Sequence, residues 1–278
     1  MKRVIFTAVF ENYDKVFPAL HNVRGVDCVL FTDSPSLRVA GWRTLPVDIR
    51  AFASGKAANN HYRALAHWYL SDYDTSLYID GNVRVIRPTL KLFSEFEASG
   101  ADLGIFPHPE RNTVSEEIAA CAVLGLAEED VMRAEYEANA DDGFGDDFGL
   151  FDCSIDFKNH TSPRLHAAME HWDRLFQHYK TRNQLSLPYI IWKYGLIVHR
   201  MAGNSRKAHD TFHFYPHIKG ADTIPLSFII KARARDWALF RLFPLEFVFR
   251  CIRLIRKISR SGQVDSRPFQ GKGQRRRR

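Results

Sequence analysis

The sequence predicts an α/β fold, a mixed, mostly parallel sheet flanked by helices, with a basic amphipathic helical segment at its C-terminal end. Three observations predict it. The chain has 278 residues, 45% of them hydrophobic, enough to bury one large core or a domain with an appendage. Three short apolar runs, Val4–Phe10, Asp27–Thr32 and Ser76–Ile79, each give way to polar, turn-forming residues (ENYD, DSPS and DGN), and helix-like stretches lie among them. This is the rhythm of βαβ units. Third, charge is distributed unevenly. From Leu226 onward there are 15 Lys and Arg against three acids, a net of +12, whereas residues 1–225 hold 24 basic and 29 acidic groups, a net of −5.

The N-terminus MKRVIFTAVFENYD has the basic start and apolar run of a signal peptide. Its run is about seven residues long, meets Glu11 and Asp14, and lacks a small-residue cleavage site, so it reads as the first strand. Lys56 to Leu70 reads as a helix, with Leu65, Trp68 and Tyr69 on its apolar side and Lys56, Asn59, Asn60 and Arg63 towards its start, where they suit an anion or simply face solvent. Ser115 can cap a helix that begins at Glu116 and Glu117. Ser162 and Pro163 open the clearest helix, whose stripe of Leu165, Ala168, Met169, Trp172, Leu175, Phe176 and Tyr179 reads as core. Cys28, Cys121, Cys153 and Cys251 form no CxxC pair, which argues against a zinc ribbon or disulfide framework and fits a reducing compartment. There is no internal repeat, and no low-complexity tract before the terminal GKGQRRRR.

In parallel sheets ligands bind beyond the carboxyl ends of the strands, which directs attention to YIDGNVRVI, Tyr78 to Ile86. On an extended strand Asp80 and Asn82 point the same way, and Gly81 leaves the space between them clear. That is half a site for Mg²⁺ or Mn²⁺, which takes oxygen ligands and completes its shell with phosphate oxygens and water. A sugar nucleotide would supply those phosphates. Asp-Gly-Asn after a strand is equally a common turn.

The arrangement resembles the GT-A-fold (Rossmann-like) glycosyltransferases, whose Asp-x-Asp at a strand end holds the metal and the donor diphosphate. More closely, it is similar to an uncharacterised-domain family that includes plant mucilage-related glycosyltransferase-like proteins and bacterial members, and more distantly to glycosyltransferase family 8. The matching stretches, in order, are FTAVFENYD, DCVLFTD, Trp42, the Asn59-to-Trp68 helix, LYIDGNVRV, HPERNTVSEE, GDDFGLFD and TRNQLS, covering some two thirds of the chain between about residues 5 and 190. The resemblance implies that Thr7, Tyr13 and Asp33 surround the nucleotide, that Arg63 reaches the diphosphate, and that Asp80 and Asn82 face the metal. TRNQLS is similar to the Asp-Gln motif that holds the transferred sugar or the acceptor, with Asn183 where an Asp is usual, followed by Gln184. Two departures follow. Asn82 in place of a second Asp lowers metal affinity or dispenses with the metal, and Asn183 cannot act as a base. A catalytic carboxylate then falls to Asp146, Asp147 or Glu116, with Asp147 preferred on the acceptor side.

HPERNTVSEE brings His108, Arg111, Glu116 and Glu117 within ten residues, a mix able to grip sugar hydroxyls, or else a surface loop leading into a helix. ANADDGFGDDFGLFD is a flexible acidic loop able to close over an acceptor, and its oxygen spacing does not match an EF-hand. Related metal-dependent transferases complete the ion's shell with a late His. HFYPHIKG resembles that segment, making His217 the expected ligand and His213 the alternative.

The chain accordingly divides into a GT-A-like domain over 1–225, a basic amphipathic segment over 226–260 and a disordered basic tail over 261–278. On a helix from Glu246 to Arg260, Phe247, Val248, Cys251, Ile252, Ile255 and Ile258 fall on one side and Arg250, Arg253, Arg256, Lys257 and Arg260 on the other. This pattern suits a helix lying on an anionic membrane surface, and equally a helix packed on the domain with its basic face in solvent. No stretch reaches the roughly 18 apolar residues of a span, and no nucleic-acid motif accompanies the charge. The reading is a glycosyltransferase moving a sugar from a nucleotide-sugar donor, a UDP-sugar, with Lys56 and Arg63 steadying the departing diphosphate and Mn²⁺ or Mg²⁺ as cofactor. The acceptor is a saccharide or lipid-linked glycan, at the inner, cytoplasmic face of a membrane, in cell-surface polysaccharide or lipopolysaccharide assembly. The distant resemblance leans towards retention of configuration. The alternative is a catalytically silent sugar-nucleotide or glycan-binding protein.

Overall fold

A computed structural model of the chain describes residues 1–19, 25–206, 209–217 and 226. The basic segment and tail read from the sequence, apart from Leu226, lie outside the described residues.

The first strands form where the apolar runs predict them: β1 (Arg3–Val9), β2 (Val26–Thr32) and, after the short edge strand β3 (Arg43–Pro46), β4 (Thr75–Ile79). They pair in parallel in the order β3-β2-β1-β4. Beyond β4 the sheet continues through β7 (Phe151–Asn159) and β6 (Leu103–Pro107) to β8 (Val198–Arg200). β7 is antiparallel to both its neighbours, so the sheet is mixed and mostly parallel, as the sequence predicts. A two-stranded ladder of β5 (Val83–Val85) and β9 (Phe212–Phe214) stands apart from it.

The runs are apolar almost throughout because both faces of the sheet are covered. Val4, Phe6, Phe31 and Tyr78 pack on one side with Ala58, Tyr62 and Ala66 of α1 (Gly55–Ala64) and α2 (Ala66–Tyr69). Ile5, Cys28, Leu77 and Phe157 pack on the other with Phe93 and Phe96 of α3 (Leu90–Ala98). A further core joins α4 (Val114–Val123), α5 (Glu129–Asp141), α6 (Pro163–Tyr179) and α7 (Asn183–Tyr194) to Ile105 and Phe151. Leu165, Ala168, Met169, Trp172 and Phe176 of the α6 stripe are core as read, while Leu175 and Tyr179 are half-buried; the helix is entered through Ser162, whose Oγ accepts from the Leu165 amide.

Two local readings are corrected. The helix expected over Lys56 to Leu70 breaks at Leu65, which has φ −90 and ψ 28 and ends α1 before α2 restarts. The break buries Leu65, Ala66 and Leu70 and turns Trp68 out to 53% exposure. The cap of α4 is Thr113, not Ser115. Thr113 Oγ1 accepts from Glu116 N while the Glu116 carboxylate turns back to the Thr113 amide, a complete capping box.

Candidate functional site

A cleft of about 630 Å³ opens beyond the carboxyl ends of β1 and β4, within the size range of small-molecule sites. Its walls come from the β1 exit (Phe10 to Asp14), the β4 exit (Asp80 to Asn82), the starts of α1 and α7, the middle of β7, and Arg206, Phe214 and His217. The β1 exit is bent tightly: Glu11 and Asn12 both take left-handed backbone, with φ of 55 and 51. Such conformations persist where the surroundings hold them, and here the Asp33 carboxylate accepts from the Glu11 amide at 3.0 Å. Gly81 is required by a close approach, since a β-carbon there would come within 2.5 Å of Val9 Cγ2.

Asp-Gly-Asn proves to be a turn and a cleft wall at once. The Val83 amide donates to the Asp80 carbonyl at 2.9 Å, closing the turn, and Asp80 and Asn82 both belong to the cleft lining. Burial pushes the Asp80 carboxyl up to about 6, against the pull of Arg63 and of the Tyr78 hydroxyl, which donates to Oδ1 at 2.9 Å. Asn82 donates Nδ2 to the Tyr215 carbonyl at 2.8 Å and leaves Oδ1 buried with no partner. A carboxylate and an orphaned carboxamide oxygen on one wall fit part of a hard-cation shell. Among the described residues no group of three or more His, Cys, Asp or Glu could hold a metal ion. His217 lies in the same lining, its ring 5.4 Å from that of Tyr13 and its Nδ1 3.0 Å from Asp14 Oδ2. The bond to Asp14 raises the pKa of His217. His213 sits in β9 and takes no part in the lining.

At the starts of α1 and α7, Lys56 donates Nζ to the Thr181 carbonyl at 2.6 Å. Arg182, Asn183 and Gln184 follow directly, and Arg182 donates to Gln184 Oε1 at 3.2 Å. Asn183 Oδ1 is buried without a partner. Arg63 borders the cleft, but its guanidinium is held by Asp156, through Nε at 2.9 Å and Nη2 at 2.5 Å, and lies over the Tyr78 and Trp172 rings. Asp156 also binds Lys158, so Arg63 belongs to a buried ion network beneath the floor. Arg206, which the sequence did not single out, is clamped by Asp152 at 2.8 and 3.0 Å and by Ser154 Oγ at 2.9 Å. These bonds, with those from Ser205 and Ser154, outweigh burial and hold the Asp152 carboxyl at about 2.

Several residues named from the sequence stand outside the cleft lining. Thr7 is buried within β1, and Asp33 braces the Glu11 turn. Glu116 is committed to the α4 capping box, and Asp146 Oδ1 accepts from the Val114 and Ser115 amides at 2.8 and 3.2 Å. Both acids therefore anchor the start of α4. Asp147 is exposed on the turn 146–148. His108 and Arg111 gather on Glu117, which is buried, with Arg111 Nε 2.5 Å and His108 Nε2 3.8 Å from Oε2. Glu117 Oε1 lies 3.8 Å from Arg182 Nε, and this ion pair is the link from that loop to the cleft.

No protein-family profile matches the chain, and no curated protein matches it. Among solved structures, it is similar to mouse xyloside xylosyltransferase 1 in its apo form, at 10% identity over 78% of this chain and 98% of the other, with a TM-score of 0.47. It is also similar to the galactosyltransferase LgtC with donor and acceptor sugar analogues, at 18% identity over 71% and 72%, with a TM-score of 0.43. An active-site variant of LgtC gives 16% identity over 77% and 87%, with a TM-score of 0.46. These scores are low, and the functional reading rests on the cleft's own residues.

Proposed function

We propose that the protein is a glycosyltransferase that takes a sugar from a nucleotide-sugar donor, a UDP-sugar, and passes it to a saccharide or glycolipid acceptor. The observation that carries this reading is the wall at the β4 exit, where Asp80 and Asn82, whose Oδ1 is buried without a partner, border a nucleotide-sized cleft next to the bent β1 exit bearing Tyr13 and Asp14. Asp80 and Asn82 would hold Mn²⁺ or Mg²⁺ together with the diphosphate, and the ion would supply neutralisation of the charge that grows there as the sugar departs. Tyr13 offers a ring face for the base. The acceptor hydroxyl oxygen bonds to the anomeric carbon as the bond to the diphosphate oxygen breaks, and the hydroxyl proton passes to the diphosphate or to a carboxylate of the lining. Glu11, Asp14 and Asp80 are the carboxylates there.

Attachment to an anionic membrane surface at the cytoplasmic face, through residues 226–260, would bring the cleft to a lipid-linked acceptor in polysaccharide or lipopolysaccharide assembly. This part of the proposal is supported by the sequence pattern of that segment. No helix among the described residues is long and apolar enough to cross a membrane.

A second reading, a binding protein without turnover, is favoured by one observation: Glu116, Asp146 and Asp147, the acids the sequence offers for catalysis, all stand outside the cleft lining. Hydrolysis of UDP-glucose, UDP-galactose and UDP-N-acetylglucosamine, followed by phosphorus NMR with Mn²⁺ present, separates the two. Release of UDP from one donor, reduced about a hundredfold in Asp80→Ala, supports the transferase. Binding without release supports the silent protein.

A further inference from the structure

We propose that the end of the cleft formed by the starts of α1 and α7 is a subsite for an anionic saccharide, one whose ring carries a carboxylate or a phosphate. The inference rests on the reading of the cleft as a nucleotide-sugar site, and adds the charge class of the sugar held at that end.

The lining holds the carboxylates of Glu11, Asp14 and Asp80 from the β1 and β4 exits, and Lys56 and Arg182 at the helix starts, where the Glu11 carboxylate also reaches Gly55. The other two arginines of the lining are neutralised in place, Arg63 by Asp156 and Arg206 by Asp152. Lys56 and Arg182 are not. Lys56 donates to a neutral carbonyl, that of Thr181. Arg182 has one carboxylate near it, Glu117 at 3.8 Å, and that same carboxylate is bound more closely by Arg111 at 2.5 Å and approached by His108 at 3.8 Å. Arg111 and Arg182 thus share the one counter-charge of Glu117, so Arg182 is incompletely compensated where it lines the cleft. Burial, and then the charge of Arg182, lower the pKa of Lys56.

The surroundings suit a sugar. Arg182 Nε is buried without a hydrogen-bond acceptor, and the bond to Gln184 Oε1 fixes the orientation of its guanidinium. Such a planar fork takes a carboxylate or phosphate in paired hydrogen bonds. Asn183 Oδ1, buried and unpartnered, is an acceptor for a ring hydroxyl, and Leu126 offers an apolar surface to a ring face. Arg182 is the N-cap of α7, which has no side-chain cap, so the positive end of a 12-residue helix adds to the same field.

Titration of the full chain with D-glucuronate, D-glucose 6-phosphate and D-glucose, each with and without UDP, tests this by calorimetry or saturation-transfer NMR. At least one anionic sugar should bind about tenfold or more tightly than glucose, and Lys56→Gln and Arg182→Gln should each erase most of that preference, with Arg182→Gln changing UDP affinity by less than about twofold. Whichever anion is preferred identifies the charged group. Equal binding of glucose and both anions, or no binding of any of the three, overturns the subsite. So does a parallel loss of UDP in both variants, which would assign these cations to the diphosphate. Preference for an anionic sugar without any UDP binding supports the subsite while sinking the donor reading.

Discussion

Asn82 donates its carboxamide to the Tyr215 carbonyl at 2.8 Å and keeps its own oxygen buried and unpartnered at the cleft wall. An Asp at this position would set a carboxylate against a carbonyl oxygen. Asn82→Asp should therefore lower stability in cation-free buffer by about 1–3 kcal/mol, read from urea unfolding. An unchanged midpoint would mean that this bond contributes nothing to holding the turn.

Beneath the floor, Arg63, Asp156 and Lys158 are all buried, and one carboxylate serves two cations. Removing the shared partner strands both, so Asp156→Ala should cost about 3–5 kcal/mol. Arg63→Met leaves Lys158 on Asp156 and should cost less. Equal losses in chemical denaturation would contradict this ordering.

Burial raises the Glu135 carboxyl to about 7, although the Thr181 hydroxyl donates to it. The folded state therefore favours the protonated acid. Stability is fully present below the ordinary carboxyl value near 4.5 and is lost as pH rises to about 7, where ionisation is forced on a buried group. Glu135→Gln removes that penalty and should stabilise the protein by up to about 3 kcal/mol at pH 8, and by little at pH 4. The difference between melting temperatures at the two pH values reads the effect, and a pH-independent difference would contradict it.

Thr113→Ala removes the hydroxyl that caps α4 and should cost about 1 kcal/mol, while Ser115→Ala should be nearly neutral. Thermal unfolding of the pair decides between the two positions as the cap.

The parallel half of the sheet was legible because a strand buried on both faces reads as an unbroken apolar run, as Val4 to Phe10 does. β7 was not legible. It buries Asp152, Asp156 and Lys158, and a strand with three charges looks like a loop until Arg206 and Arg63, 54 and 93 residues away in sequence, neutralise two of them. The same long-range pairing explains the site. The Asp-Gly-Asn turn and Tyr13 were visible as local motifs at strand ends. Whether Arg63 is free for a phosphate depended on Asp156, and Arg182 gained its place through Glu117, and neither relation has a local signal. Glu116 and Asp146 read as candidate acids because a capping carboxylate and a catalytic one are the same residue type; the Thr113-x-x-Glu116 spacing was the signal that separates them.

The central claim is that the wall of Asp80 and Asn82 holds a nucleotide diphosphate through a divalent cation. Calorimetric titration of the purified protein with UDP, GDP and CDP, each with and without Mn²⁺, tests it most directly. One nucleotide, expected to be UDP, should bind in a Mn²⁺-dependent manner and lose that binding in Asp80→Ala with the fold intact. Absence of binding by all three nucleotides under both conditions would contradict the account and leave Asp-Gly-Asn as a turn alone.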